Sequence, residues 1–171
     1  MTKESPSRPP IGKAKRTFHI VASRFNTQYV DGLIDHVSDE LRMLAPHGTI
    51  LLNRVPGSFE IPVVAREVAV QNKADAIIAC GVILQGETDH AQNLSRSVTD
   101  ALQHIAIEHG VTVINVVLSF DNENQARARC LENKINRGTE AAQAAVEIAN
   151  VLSEVRSKQG AADSEPPREN G

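Results

Sequence analysis

Short apolar runs alternate along this chain with longer segments whose apolar residues recur at helical spacing. The runs cover residues 17–22, 49–55, 74–84 and 111–118. The third and fourth contain AIIACGVIL and VTVINVVL, which are apolar at nearly every position, as central strands covered on both faces are. This alternation is typical of crossover units around a parallel sheet. It predicts an α/β fold, a three-layer αβα sandwich with a four-stranded parallel sheet and flavodoxin-like architecture.

The segments between the runs predict helices. Apolar residues at three- and four-residue steps, together with turn signals, indicate helices over residues 30–44, 59–71, 88–109, 122–130 and 138–155. Pro62 suits the first turn of the second helix, and Gly110 suits the stop of the third. Ligands of such sheets bind beyond the carboxyl ends of the strands. We therefore expect the site within residues 23–27, 56–62, 85–90 and 119–122.

The chain has 171 residues, which suits one domain with a sizeable core. We place that domain at residues 17–157. Residues 1–16 carry basic residues and prolines without apolar periodicity and are predicted to form a flexible basic arm, for which solvation is favoured over phosphate or nucleic-acid binding. Residues 158–171 are polar and are predicted to form a disordered tail.

Composition excludes several classes of function. A net charge of −3 and an aromatic content of 3% argue against nucleic-acid binding and favour a small-molecule partner. No run reaches the roughly 18 apolar residues of a membrane span, and MTKESPSRPP lacks the apolar stretch of a secretory signal, so we expect a cytoplasmic protein. Cys80 and Cys130 have no metal-ligand spacing, so we expect buried thiols and no metal.

Common catalytic motifs are also missing. The sequence contains no G-x-x-x-x-G-K-[ST], G-x-G-x-x-G, G-x-S-x-G or H-E-x-x-H. The motifs that usually support nucleotide hydrolysis, dinucleotide binding and serine hydrolysis are therefore absent from the sequence.

The third run leads through LQGETDH straight into the third predicted helix. Gly86 would allow a tight turn, after which the backbone N–H groups of Glu87 and Thr88 would open the helix as an anion site. An ordinary capped helix start explains the same residues. His90, one turn further, is positioned to move protons beside a bound phosphate.

Acidic side chains beside a phosphate require a compensating cation. The candidates are Arg127, Arg129, Lys134 and Arg137. A solvated charged face is the alternative, and it is favoured for Arg127 and Lys134.

Two further segments place polar and aromatic groups at the same edge of the sheet. In VPGSFEIP, Ser58 and Glu60 flank Phe59 and suit hydrogen bonding to a polyol. After the first run, Phe25 offers a ring that either stacks on a flat heterocycle or packs in the core.

Together these segments resemble the 6,7-dimethyl-8-ribityllumazine synthase family over residues 18–152. RFN at 24–26, PGSFEIP at 56–62, GVILQGETDH at 81–90 and INRGTEAA at 135–142 occur in the family's order and spacing. The resemblance implies a transferase of riboflavin biosynthesis. It would condense 5-amino-6-ribitylaminouracil with 3,4-dihydroxy-2-butanone 4-phosphate and release phosphate and water, with no metal or organic cofactor.

The resemblance also implies a role for each site residue. His90 would transfer protons, and Phe25 would stack on the pyrimidine. The other implied contacts are Ser58, Phe59 and Glu60 for the ribityl chain and ring, Val82 and Ile83 for the ring pocket, and Gly86, Glu87, Thr88 and Arg129 for phosphate. Arg137 stands where the family commonly has Lys.

Some positions depart from the family pattern. Asn115 stands where relatives have a Phe that closes the pocket from an adjacent subunit, and LENKI at 131–135 replaces a Gly- and Lys-rich stretch. The resemblance implies a homo-oligomer, either a pentamer or an icosahedral shell of pentamers. A non-catalytic flavin- or lumazine-binding or shell-forming relative is the alternative function, and a generic phosphate-ligand binding module is a third.

Overall fold

The computed structural model describes residues 4–164, whose centre is a four-stranded parallel sheet of order β2-β1-β3-β4. The strands are β1 (Thr17–Ser23), β2 (Thr49–Val55), β3 (Ala76–Leu84) and β4 (Thr112–Phe120). In register, β1 pairs with β2 from Thr17↔Thr49 to Ser23↔Val55, β1 with β3 from Phe18↔Ala76 to Ala22↔Cys80, and β3 with β4 from Ala76↔Thr112 to Leu84↔Phe120. The predicted fold class is confirmed.

The two strands predicted to be central differ in their surroundings. In β3 every residue from Ala76 to Ile83 is buried, as predicted. β4 is also covered on both faces, since Val116 and Val117 belong to the core clusters on opposite faces of the sheet. It lies at the sheet edge, where its Asn115 and Ser119 are exposed, so the prediction that it is a central strand was wrong. An apolar run of this kind does not reveal whether the strand has a neighbouring strand on both sides or on one side only.

Helices connect the strands, as predicted. They are α1 (Thr27–Leu44), α2 (Ile61–Gln71), α3 (His90–His109), α4 (Glu123–Cys130) and α5 (Arg137–Ser164), with a 3₁₀ turn at Ser58–Glu60 before α2. Pro62 lies in the first turn of α2. Gly110 ends α3 with φ 61°, a left-handed conformation that glycine adopts without a Cβ penalty.

The core has two layers because side chains of a buried strand alternate between its faces. Ile78, Cys80 and Val82 of β3 pack in a cluster with α1, α4 and α5. Ile77, Ala79 and Ile83 pack in a second cluster with α2 and α3. The sheet is thus covered on both faces, and its carboxyl edge lies between the two helical layers.

The structure describes part of the chain on either side of the predicted domain. Within residues 4–16, Arg8 pairs with Glu40 at 2.6 Å and the Gly12 N–H donates to the Leu44 carbonyl at 2.8 Å. α5 continues past residue 158, where a tail was predicted, and ends at Ser164. The rest of that segment and the first three residues lie outside the described part of the chain. Within residues 4–164 no helix has both the length and the apolar composition to cross a membrane.

Candidate active site

A cavity of about 550 Å³ opens at the carboxyl edge of the sheet, where the site was expected. The sequence-predicted residues that line it are Phe25, Ser58, Phe59, Glu60, Val82, Ile83 and His90. They come from the ends of β1, β2 and β3 and from the start of α3. The cavity thus brings together segments that are far apart in sequence.

The turn after β2 fixes the position of Glu60 and leaves room for Phe25. The Gly57 N–H donates to Oε2 of Glu60 at 3.1 Å. A Cβ at Gly57 would lie 3.2 Å from Cδ2 of Phe25 and 3.1 Å from the same Glu60 oxygen. Glycine therefore allows the ring and the carboxylate to approach the turn closely.

Ser58 lies against β3 at a second close approach. Its side chain is buried, and a Cβ at Gly81 would come within 2.6 Å of its Oγ and 3.3 Å of Oγ of Ser23. Real Cβ atoms do not make contacts as short as the first of these. Gly81 therefore leaves the space that the Ser58 hydroxyl needs beside the floor of the cavity.

Phe25 and Phe59 are the two aromatic residues at the mouth of the cavity. They are 72% and 68% exposed, whereas Phe18 and Phe120 are buried in the core. Packing in the core therefore does not account for the position of Phe25. Exposed rings beside a cavity are typical of binding or interaction surfaces, since each leaves a face free for stacking.

The segment from β3 to α3 differs from its prediction. α3 begins at His90 rather than residue 88, with Asp89 as the cap residue, so the amides of Glu87 and Thr88 precede the helix. The His90 N–H donates to Oγ1 of Thr88 at 3.4 Å, which satisfies one free group of the helix end. The backbone of Gly86 is outside the left-handed region and a Cβ there would meet nothing within 4 Å, so no tight turn requires this glycine.

Six predicted site residues are not among those that line the cavity. Gly86, Glu87 and Thr88 lie in the segment between β3 and α3, and the other three lie on β4, α4 and α5. Asn115 is on the edge strand β4, where its Nδ2 donates to Oγ1 of Thr99 at 3.1 Å. Arg129 is half-buried on α4. Arg137 opens α5 and pairs with Glu140 at 2.6 Å. Both arginines lie on helices of the layer opposite the 3₁₀ turn and α3, and neither lines the cavity with His90.

Sequence reasoning missed part of the cavity lining. The missed residues are Asn26, Gly57, Leu84 and Leu94. Leu94 lies one helical turn after His90, so the helical period could have identified it. Asn26 and Gly57 lie in segments that were expected to hold the site, but neither was named as a site residue.

No cysteine supplies a nucleophile to this site. Cys80 and Cys130 are free and buried, as predicted. Cys80 directly precedes Gly81, which lies beside Ser58 at the cavity. Burial nevertheless raises the pKa of the Cys80 thiol to about 12. A thiol with such a pKa is protonated at neutral pH and does not act as a nucleophile.

The fold and the cavity define an α/β protein with a small-molecule site at the carboxyl edge of its sheet. The family model for 6,7-dimethyl-8-ribityllumazine synthase matches residues 15–153, and the chain belongs to that family.

Three proteins with that same description are among its relatives. The one from Paraburkholderia phymatum is 40% identical over 133 residues, which cover 77% of this chain and 75% of the relative. The one from Anaeromyxobacter dehalogenans is 39% identical over 78% of this chain and 83% of the relative. The one from Halorhodospira halophila is 39% identical over 79% of this chain and 87% of the relative.

Proposed function

We propose that the cavity at the carboxyl edge of the sheet is the site at which this chain carries out the reaction of its family. The chain is a 6,7-dimethyl-8-ribityllumazine-forming enzyme of riboflavin biosynthesis. It condenses 5-amino-6-ribitylaminouracil with 3,4-dihydroxy-2-butanone 4-phosphate and releases phosphate and water. The cytoplasm is our predicted location for this reaction.

The observation that carries the proposal is that one cavity is lined by His90, two exposed rings and the polar residues of the 58–60 turn. A flat pyrimidine suits the space between Phe25 and the rim formed by Val82 and Ile83, because ring faces stack and aliphatic groups pack on them. The Ser58 hydroxyl and the Glu60 carboxylate suit the hydroxyl groups of a ribityl chain.

The chemistry needs no protein nucleophile. The amine of the pyrimidine attacks the ketone carbon of the second substrate, and loss of water gives an imine. Holding both reactants in one cavity supplies much of the rate, because it converts an encounter of two molecules into a step within one complex. In our proposal His90 moves the protons that imine formation and phosphate elimination require.

For the phosphate we propose the loop before α3 together with an arginine. Backbone N–H groups of Gly86, Glu87 and Thr88, with the Thr88 hydroxyl, offer donors next to His90. Arg129 adds the bidentate geometry that suits phosphate.

We propose that Arg129, Arg137 and Asn115 act on the cavity of an adjacent subunit, since none of them lines the cavity of its own chain. The apolar edge strand β4 supports assembly, because its outer edge has no partner strand within residues 4–164. A homo-oligomer, either a pentamer or a shell of pentamers, is the arrangement that we propose.

The test mixes the purified chain with both substrates and follows lumazine fluorescence and inorganic phosphate in the same sample. We expect the two products to appear in equal amounts and only when both substrates are present. Binding of the pyrimidine without phosphate release would support the non-catalytic alternative and contradict the proposal. Omission of either substrate is the control.

A further inference from the structure

Asn26 has a backbone conformation that non-glycine residues seldom adopt. Its φ is 56° and its ψ is 45°, in the left-handed region, immediately before α1. Asparagine tolerates this region better than most residues, yet the conformation still costs free energy relative to the common ones. Within residues 4–164 the only other non-glycine residue with positive φ is Asn72, at φ 52°. Asn26, unlike Asn72, lines the cavity.

The side chain of Asn26 does not serve the helix that it precedes. An asparagine at this position commonly accepts a hydrogen bond from the first turn, but α1 has no side-chain cap bond. Instead, Nδ2 of Asn26 donates to the backbone carbonyl of Val82 at 2.7 Å. The Asn26 side chain therefore joins two segments that both line the cavity, and it makes no cap bond to α1.

The contact falls where the sheet itself no longer joins these segments. The pairing of β1 with β3 ends at Ala22↔Cys80, two residues before Val82. Beyond that point the Asn26 amide supplies the Val82 carbonyl with a donor from the β1 side. The bond therefore ties the segment that carries Phe25 to the rim that carries Val82 and Ile83.

We propose that Asn26 is a positioning residue that fixes the distance between the Phe25 ring and the β3 rim. Its left-handed backbone turns the chain so that Phe25 stands at the mouth, and its amide holds that turn against β3. This inference rests on the proposed function, in which the pyrimidine lies between these two walls. Asn26 acts through Phe25 and the rim and need not touch the substrate.

Two substitutions separate the backbone role from the side-chain role. Asn26→Gly keeps the left-handed conformation available and removes the amide. Asn26→Asp keeps an asparagine-like shape but places an oxygen, which cannot donate when ionised, against the Val82 carbonyl. The matched control is Asn72→Gly, which changes the other left-handed asparagine at the exposed C-terminal end of α2.

The first readout is steady-state kinetics with each substrate varied in turn. Loss of one buried hydrogen bond corresponds to roughly a fivefold to tenfold weaker interaction, so we expect Asn26→Gly to raise KM for the pyrimidine by about that factor. We expect kcat and KM for the butanone phosphate to stay within about twofold, and Asn26→Asp to exceed Asn26→Gly in effect. Asn72→Gly is expected to leave all three constants unchanged. Equal changes in both KM values, or none, would overturn the inference.

The second readout is amide hydrogen exchange, which does not depend on turnover. We expect residues 24–29 to exchange faster in Asn26→Gly than in the unmodified chain, with no change there in Asn72→Gly. Unchanged exchange at residues 24–29 would overturn the inference even if the chain proves active. Faster exchange in a chain that forms no lumazine would support the positioning role and contradict the proposed function, so the two failures are distinguishable.

Discussion

The body of β3 and the mouth of the cavity at its carboxyl end differ in how far their apolar side chains are exposed. Along the body, residues 76–83 are all buried against one of two helical layers. At the mouth, Phe25 and Phe59 leave more than half of their surface in solvent although the chain has few aromatic residues. The difference teaches that the body stabilises the fold, whereas the mouth keeps apolar surface free for something other than folding.

The largest expected effect is on the body of β3. Ile78 is fully buried, so Ile78→Ala should lower the free energy of unfolding by about 2–5 kcal/mol through lost burial and the cavity it leaves. Urea denaturation followed by circular dichroism measures this loss. A loss below about 1 kcal/mol would break the comparison, because the body would then behave like a surface.

The next effect is expected at Gly81, where the body of β3 meets the cavity. Gly81→Ala places a Cβ 2.6 Å from Oγ of Ser58, so the hydroxyl or its turn has to move. We expect a stability loss of about 1–3 kcal/mol from overpacking, together with a raised KM for the pyrimidine. Gly160→Ala in α5 is the matched control, since a Cβ there meets nothing within 4 Å, and it should leave stability unchanged or increased. Normal kinetics and stability in Gly81→Ala would show that the Ser58 contact is dispensable.

At the mouth of the cavity, substitution should weaken substrate binding without lowering stability. Phe25→Ala should change the free energy of unfolding by no more than about 0.5 kcal/mol, because the ring is mostly exposed. Loss of stacking worth roughly 1 kcal/mol should raise the pyrimidine KM by about fivefold. Kinetics and urea denaturation on one preparation test both parts. A destabilised variant with normal KM would mean that Phe25 is a core residue after all.

The effect that is smallest at neutral pH concerns two buried thiols, Cys80 of β3 and Cys130 of α4. Burial raises the pKa of both Cys80 and Cys130 to about 12, above the unfolded value near 9, so the folded chain holds more protons between these pH values. The thiols therefore contribute stability that is present below about pH 9 and is lost as the pH rises toward 12. Tyr29, whose pKa burial and the Glu123 carboxylate also raise, adds to the same loss.

Replacing both cysteines by alanine should flatten the decline of unfolding free energy above about pH 9, and the remaining slope belongs to groups such as Tyr29. Native thiols should also resist alkylation at pH 8 until urea unfolds the chain. Rapid alkylation of the native chain would contradict their burial.

The fold could be predicted because apolar runs and stop signals are local properties of the sequence. Pro62 and Gly110 marked helix ends correctly, and the alternation of runs gave the parallel sheet. The edge position of β4 could not be predicted, because strand order depends on packing between distant segments. The start of α3 was misplaced because Thr88 accepts the first N–H from outside the helix.

The candidate site could likewise be predicted where it depends on local sequence signals, but not where it depends on packing between distant segments. Residues next to strand ends, such as Phe25 and His90, line one cavity because the carboxyl ends of parallel strands meet at one edge. Arg129 and Arg137 were named as site residues from the family resemblance. They lie on α4 and α5, in the helical layer opposite α2 and α3. Sequence spacing does not show in which helical layer a side chain lies. The role of Asn26 was missed because it depends on a tertiary hydrogen bond.

The most direct test of the central claim is the rate of lumazine formation by His90→Ala at saturating concentrations of both substrates. His47→Ala, which changes an exposed histidine after α1, is the control. Proton transfer by a positioned side chain contributes on the order of 10²–10⁴-fold, so we predict a loss of that order with turnover still measurable. A rate equal to that of the unmodified chain would contradict the role of the cavity, and complete loss of turnover would contradict a reaction driven mainly by the proximity of the two substrates.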